Sequence, residues 1–296
     1  MRIFTIGGLL AVSALLPAAR QGAGPETLLR DRFHLSEAEV AQARGGQPVA
    51  KMLASTSRGE YAIVGAIRLP GDKTRLAEWI KNVPHFRASA EMGAARVIPA
   101  PPTQAGFAEL SLAPKDLSDL EKCTATNCAM RIPRDTLTTL KRDVRWGTPD
   151  AKRQAETVLR DMLAGYAAAY LTSGNAGVAA YEGGSGFAND INTLLAQATT
   201  LPAVAPELAS YIGSYPSASL PNADQLLYWS VADGESFQVI TLHQLVVFRR
   251  GPGETYIADK TIYASRFFDA GVLVVSLADA EGGGFYAIAA SRIKSA

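Results

Sequence analysis

The chain has 296 residues, of which 48% are hydrophobic and 19% charged, with a formal net charge of +1. That length holds one large domain or two small ones, with a sizeable core in either case. So balanced a charge gives no global field to recruit nucleic acid or an anionic membrane, and neither is expected as a partner.

The N-terminus reads as an export signal. Arg2 precedes a charge-free apolar run over 3–16, and small residues follow in PAARQGAG. The run is shorter than the about 20 residues of a membrane-spanning helix, and no second long apolar segment follows. Residues 1–24 are therefore expected to be a signal peptide, cut between Ala18 and Gly24. No cysteine stands just after the run to carry a lipid. The mature chain is expected to be periplasmic or secreted, with no integral membrane segment.

Ser36 followed by Glu39 is a capping box for a helix over 37–44, and Gly45-Gly46 ends it. Residues 49–54 and 61–69 read as strands flanking a turn. Asp72 caps a helix over 73–83 that carries Leu76, Trp79, Ile80 and Val83 on one stripe. Residues 88–102 are extended and proline-rich, suited to a connector or a sheet edge. FAELSL is read as a short strand, and PKDLSDLEKC and DTLTTLKRDV as helices.

Between those helices lie Cys123 and Cys128, the only cysteines, with four residues between them. In an oxidising compartment this spacing reads as a disulfide around a small loop. A redox pair would show C-x-x-C spacing, and a zinc site would need two further ligands.

Thr148-Pro149-Asp150 reads as the start of a long helix over 149–172, ended by Ser173-Gly174-Asn175. Val158, Leu159, Met162, Leu163, Tyr166 and Tyr170 form its apolar face. A shorter helix is expected over 187–198 and a helical piece from Pro206 to Ile212. From Leu226 onward, and above all from Phe237 to Ala290, long β-branched and aromatic runs alternate with Gly, Pro and Asp at the breaks. These are the strands of an antiparallel sheet. The expected fold is α+β: one antiparallel sheet, formed mainly by the C-terminal strands, packed against the long helix. By fold analogy alone it compares with helix-grip and NTF2-like proteins. Residues 25–296 are read as one domain, with Gly147-Thr148-Pro149 as the alternative boundary.

Chemistry is sparse. Of three histidines, His34 precedes a helix and His85 follows Pro84. His243 lies in a strand on one face with Phe237, Val239, Leu245 and Val247. No HxH, HExxH or HxxxH pattern supports a metal, and no cofactor is expected. There is no GxSxG elbow. The glycine-rich EGGSG at 182–186 lacks the Lys-Ser/Thr of a phosphate loop and reads as a turn. Two candidate sets remain. Tyr228, Trp229, His243, Tyr263, Arg266, Phe267 and Asp269 would line a ligand pocket between helix and sheet, with Arg266 holding an acidic head group. Alternatively those rings are core and Arg266 pairs with Asp269. Ser265 and Asp269 are read on one face of a strand at Tyr263–Asp269, and His243 with Asp269 or Ser265 would be a hydrolytic set.

The Cys123-x4-Cys128 pair, Trp146 ahead of a helix, IYASRFFDAGVLVVSL (262–277) and GFYAIAASR (284–292) resemble a family of uncharacterised exported bacterial proteins. The likeness runs over most of the mature chain, and its specific part is the C-terminal motif. Members often carry His where this chain has Arg266, which argues against a catalytic proton carrier there. The resemblance implies export and a single fold, and no activity. Three functions follow from the sequence. The first is a non-enzymatic binding protein for a small apolar or amphipathic ligand, with a closed cavity lined by Tyr228, Tyr263 and Phe267. The second is an exported hydrolase built on His243. The third is a cell-envelope interaction module with an exposed apolar patch in place of a pocket.

Overall fold

The structure, a computed structural model, describes residues 24–55, 58–89, 93–182 and 204–295. The expected signal up to residue 23, the glycine-rich turn after Glu182, the helix expected over 187–198 and the stretch around Pro202 lie outside the described residues.

Eight strands form one antiparallel sheet in the order β1-β2-β8-β7-β6-β5-β4-β3. They are β1 (Val49–Leu53), β2 (Glu60–Leu69), β3 (Ala94–Ile98), β4 (Ala223–Asp233), β5 (Gln238–Arg250), β6 (Glu254–Ala264), β7 (Phe268–Asp279) and β8 (Phe285–Ser295). The last five are a meander, each strand pairing with the next. The chain can double back this often because its breaks are turn residues. At the β7–β8 turn Gly284 has φ of 72°, and a Cβ there would stand 2.4 Å from the Leu69 carbonyl, so only glycine fits.

One face of the sheet carries most of the described helices. Helices α1 (Pro25–Asp31) and α2 (Glu37–Arg44) pack on β2 and β8 through Leu29, Phe33 and Val40. Ser36 forms the expected capping box with Glu39 at the start of α2. The α5 helix (Pro114–Lys122), α6 (Arg134–Asp143) and the long α7 (Ala151–Glu182) bury Trp229, Leu242, Ile262 and Tyr263. Leu159, Met162, Leu163, Tyr166 and Tyr170 are the buried stripe of α7. Each large side chain so buried contributes roughly 1.5–3 kcal/mol. Helix α8 (Pro206–Ser214) seals Val246, Phe248 and Tyr256. Among the described residues the opposite face is covered only in part, by α3 (Lys73–Lys81) and α4 (Val83–Ser89) over Tyr228, Leu245, Val247 and Leu277.

Several expectations are corrected. The long helix begins at Ala151, because Thr148 turns its hydroxyl back to the Arg145 carbonyl at 2.7 Å and closes a preceding turn. Gly174, with φ of 57° and ψ of −139°, breaks the helix where its end was expected, and a second helical run follows to Glu182. FAELSL (107–112) forms no strand and follows a 3-10 turn at Gln104–Phe107, where Trp229 Nε1 donates to the Gly106 carbonyl. Trp79 is 38% exposed and sits edge-on to Phe86, because the α3 stripe turns Ala77 inward instead. Cys123 and Cys128 form the expected disulfide. Among the described residues no helix is long and apolar enough to cross a membrane.

Candidate active site

The partly covered face carries a continuous chain of polar side chains. Ser230 of β4 and Thr241 of β5 are cross-strand partners, as are Tyr228 and His243, so all four stand on this face at adjoining positions. Helix α4 lies above them and brings down Arg87, whose Nη2 donates to Ser230 Oγ at 3.0 Å. Ser230 Oγ is 2.7 Å from Thr241 Oγ1, and Thr241 Oγ1 is 2.7 Å from His243 Nε2. His243 Nδ1 is 2.9 Å from Asp259 Oδ1 on β6. The Tyr228 hydroxyl donates to the other carboxylate oxygen, and its ring stacks on the imidazole at 4.5 Å with planes 5° apart.

With His243 neutral, the two ends of this chain set its direction. A guanidinium only donates and an ionised carboxylate only accepts. Burial works against charge on Asp259, but the facing His243 and the hydrogen bonds from His243 and Tyr228 outweigh it and hold the carboxyl below its usual range. In its neutral form His243 then gives its Nδ1 proton to Asp259 and presents a lone pair at Nε2. Thr241 donates to that lone pair. Its other acceptor, the Ser230 carbonyl, is at 3.4 Å, too long to compete. Ser230 in turn donates to Thr241 and accepts from Arg87. A hydroxyl is thus aimed at a base whose far side is held by a carboxylate, the arrangement that makes an alcohol nucleophilic. The site is partly open: Asp259 keeps a fifth of its side chain exposed and Thr241 is half-buried, while His243 is buried.

The residues expected at a site separate. Tyr228 and His243 belong to this chain. Trp229 and Tyr263 face the other way into the helix-covered core, where Tyr263 meets Tyr166 edge-on. The proposed grouping of Tyr228, Tyr263 and Phe267 around one cavity is therefore not formed. Tyr263 and Asp269 do not share a strand, because β6 ends at Ala264 and β7 begins at Phe268. Phe267, at φ of 65°, sits 51% exposed in that turn against Phe237. Ser265 is fully buried, its hydroxyl accepting from the Ile240 N–H. Asp269 pairs with Arg131 at 2.7 Å. Arg266 pairs with Asp116 and Asp119 of α5 at 2.6 and 2.8 Å, and not with Asp269. It therefore ties α5 to the sheet through Nη2, with its side chain buried in that pairing. Asp259, Thr241, Ser230 and Arg87 went unnoticed in the sequence. The Thr241-x-His243 spacing, which puts both side chains on one strand face, was the signal available.

A second polar cluster lies inside the covered face. Lys260, 1% exposed, donates to Tyr170 Oη at 3.0 Å, Asn175 Oδ1 at 2.8 Å and the Ile212 carbonyl at 3.3 Å. Tyr170 passes its own proton to Gln244 Oε1 at 2.5 Å. Burial pulls the Lys260 pKa down to about 7. Three oxygen acceptors suit the three N–H bonds of its charged form, and α7 and α8 close over it, so the cluster is structural. Among the described residues no group of His, Cys, Asp and Glu side chains is placed to hold a metal ion. Comparison of the chain with protein-family models, curated proteins and solved structures finds no match to any of them.

Proposed function

We propose that the protein is a hydrolase acting on esters or related acyl compounds, with Thr241 as nucleophile, His243 as general base and acid, and Asp259 as the group that orients the imidazole. The observation that carries this reading is the directed chain from Thr241 Oγ1 through His243 to Asp259, with contacts of 2.7 and 2.9 Å. In the first half-reaction Thr241 Oγ1 attacks the acyl carbon and its proton passes to His243 Nε2. The tetrahedral adduct collapses, and the leaving alkoxide takes that proton and departs as the alcohol. In the second half a water gives a proton to Nε2 and attacks the acyl-threonine. Collapse returns that proton to Thr241 and releases the carboxylic acid. Arg87 supplies positive charge at the head of the chain, beside Ser230.

The expected export sits with this reading, and the Cys123–Cys128 disulfide supports an oxidising compartment. A ligand carrier remains the rival, but the cavity it required is not formed by the residues assigned to it. The test is turnover of p-nitrophenyl acetate by the purified protein. Thr241→Ala and His243→Ala are each expected to lower it at least about 100-fold, and Thr241→Ser to retain much of it. Full activity in both alanine variants refutes the assignment.

A further inference from the structure

His243 and Asp259 each stand at the head of a cross-strand row that runs outward over the uncovered part of the sheet. From His243 the register passes through Thr261, Gly271 and Ile293 to Tyr61. From Asp259 it passes through Leu273, Ser291 and Ile63 to Met52. Beyond Asp259 neither row contains an Asp, Glu, Lys or Arg. Met52 is 61% exposed, Tyr61 59% and Ile63 41%, on neighbouring positions of the same face. Four strand spacings separate His243 from Tyr61, a span of about 19 Å.

Exposed apolar side chains are ordinary when scattered, but here three are contiguous, and Ile293 and Leu273 with the uncharged Thr261, Gly271 and Ser291 join them to the polar chain. From this continuity we propose that the substrate carries an extended, uncharged apolar acyl chain, which lies across these rows with its carbonyl at Thr241. The proposal rests on the hydrolase reading and adds its substrate class. A charged or strongly hydrated acyl group would be desolvated on this surface without a partner, so it would be disfavoured. Gly271, with no side chain midway along the His243 row, leaves the path low where the chain crosses β7. A Cβ there would come within 3.0 Å of Thr261 Oγ1. A second copy of the protein is a weaker fit, because an open area of about 19 by 10 Å is well below the about 800 Å² per partner that a stable interface buries.

Two measurements separate this proposal from the reading beneath it. The first compares p-nitrophenyl decanoate with p-nitrophenyl acetate. The expected kcat/KM is at least about tenfold higher for the decanoate, since each methylene laid on apolar surface adds affinity, and Ile63→Glu is expected to abolish the difference. Hydrolysis of both esters that depends on Thr241 but shows no chain preference overturns the acyl surface and leaves the nucleophile standing. The second is binding of dansyl-undecanoic acid to the Thr241→Ala protein, which needs no turnover. Binding that is lost in Ile63→Glu supports the proposal even if neither ester is hydrolysed, a result that would sink the nucleophile alone. Absent binding, or binding indifferent to Ile63→Glu, overturns it. So does sedimentation showing a dimer that Ile63→Glu dissociates, which would assign the face to a second copy.

Discussion

His243 and Asp259 meet on a diagonal between β5 and β6, and not as direct partners. His243 pairs with Thr261, Asp259 with Leu245, and the register shifts between Leu242 and His243. Such irregularities re-aim side chains, and this one brings Nδ1 to 2.9 Å from the carboxylate. Both groups are held on strands, with the Tyr228 ring stacked against the imidazole, so the pair is organised before any substrate arrives.

Asp259→Asn tests that organisation. An amide in place of the carboxylate can offer its N–H to Nδ1 and push the imidazole into the tautomer that donates to Thr241 in place of accepting from it. Ester turnover is expected to fall about 100-fold or more, with unchanged circular dichroism. Wild-type rates in the variant would remove Asp259 from the mechanism.

The buried Lys260 predicts a pH dependence of stability. Its pKa falls from 10.5 to about 7 on folding. Between those values the unfolded chain holds a proton that the folded chain has released, so stability rises with pH in that window and the penalty is full below it. Urea unfolding at pH 7.0 and 9.0 is expected to show a gain of about 2 kcal/mol. Lys260→Met should lack that gain, although Tyr170, Asn175 and the Ile212 carbonyl lose a donor. An equal pH slope in both proteins would mean that the ammonium stays charged among its three acceptors.

Glu26 acts in the opposite direction. It accepts from Arg44, Tyr286 and Arg30, linking α1 to α2 and to β8. The Arg44 hydrogen bond above all, against the cost of burial, draws its pKa from 4.5 to about 2. The stability it confers is complete above pH 4.5 and is lost as pH falls toward 2. Its side chain is 27% exposed, so solvent screening reduces the effect to about 1–2 kcal/mol. Glu26→Gln should lower stability by that amount at pH 7 and flatten the acid limb of the unfolding curve.

Much of this architecture is legible in the chain because local rules agree with the tertiary outcome. The strands from β4 to β8 are long, β-branched and bounded by turn residues. The capping box at Ser36 and the apolar stripe of α7 both mark helices that form. What the chain conceals is register. TYIADKTIYA alternates, so Asp259 and Lys260 point to opposite faces, but nothing local says that Asp259 will meet His243 across an irregular ladder. Arg87 joins Ser230 from 143 positions away, and Arg266 finds Asp116 across 150. The turn at 265–267 was hidden for a different reason. It places a bulky Phe267 at positive φ, a conformation that sequence rules assign to Gly or Asn. The aromatic run around it therefore read as unbroken strand.

Arg266 and Asp116 carry the last prediction. Their side chains are 7% and 1% exposed. Burial raises the Asp116 pKa above its usual range, against the pull of the Gln238 N–H and of Arg266. Two charges removed from water are each expensive, and their attraction offsets the cost only while both are present. Arg266→Met alone should therefore destabilise by about 3–5 kcal/mol, because it leaves a buried carboxylate without its cation. The double variant Arg266→Met, Asp116→Leu removes both charges and should recover most of that loss, with Asp119 still held by Lys115 at 2.6 Å. Chemical denaturation of the two proteins decides the matter. If the double variant is as unstable as the single one, the pair contributes a specific fastening of α5 to the sheet that apolar packing does not replace. Recovery would show that the cost of the single change is the stranded charge.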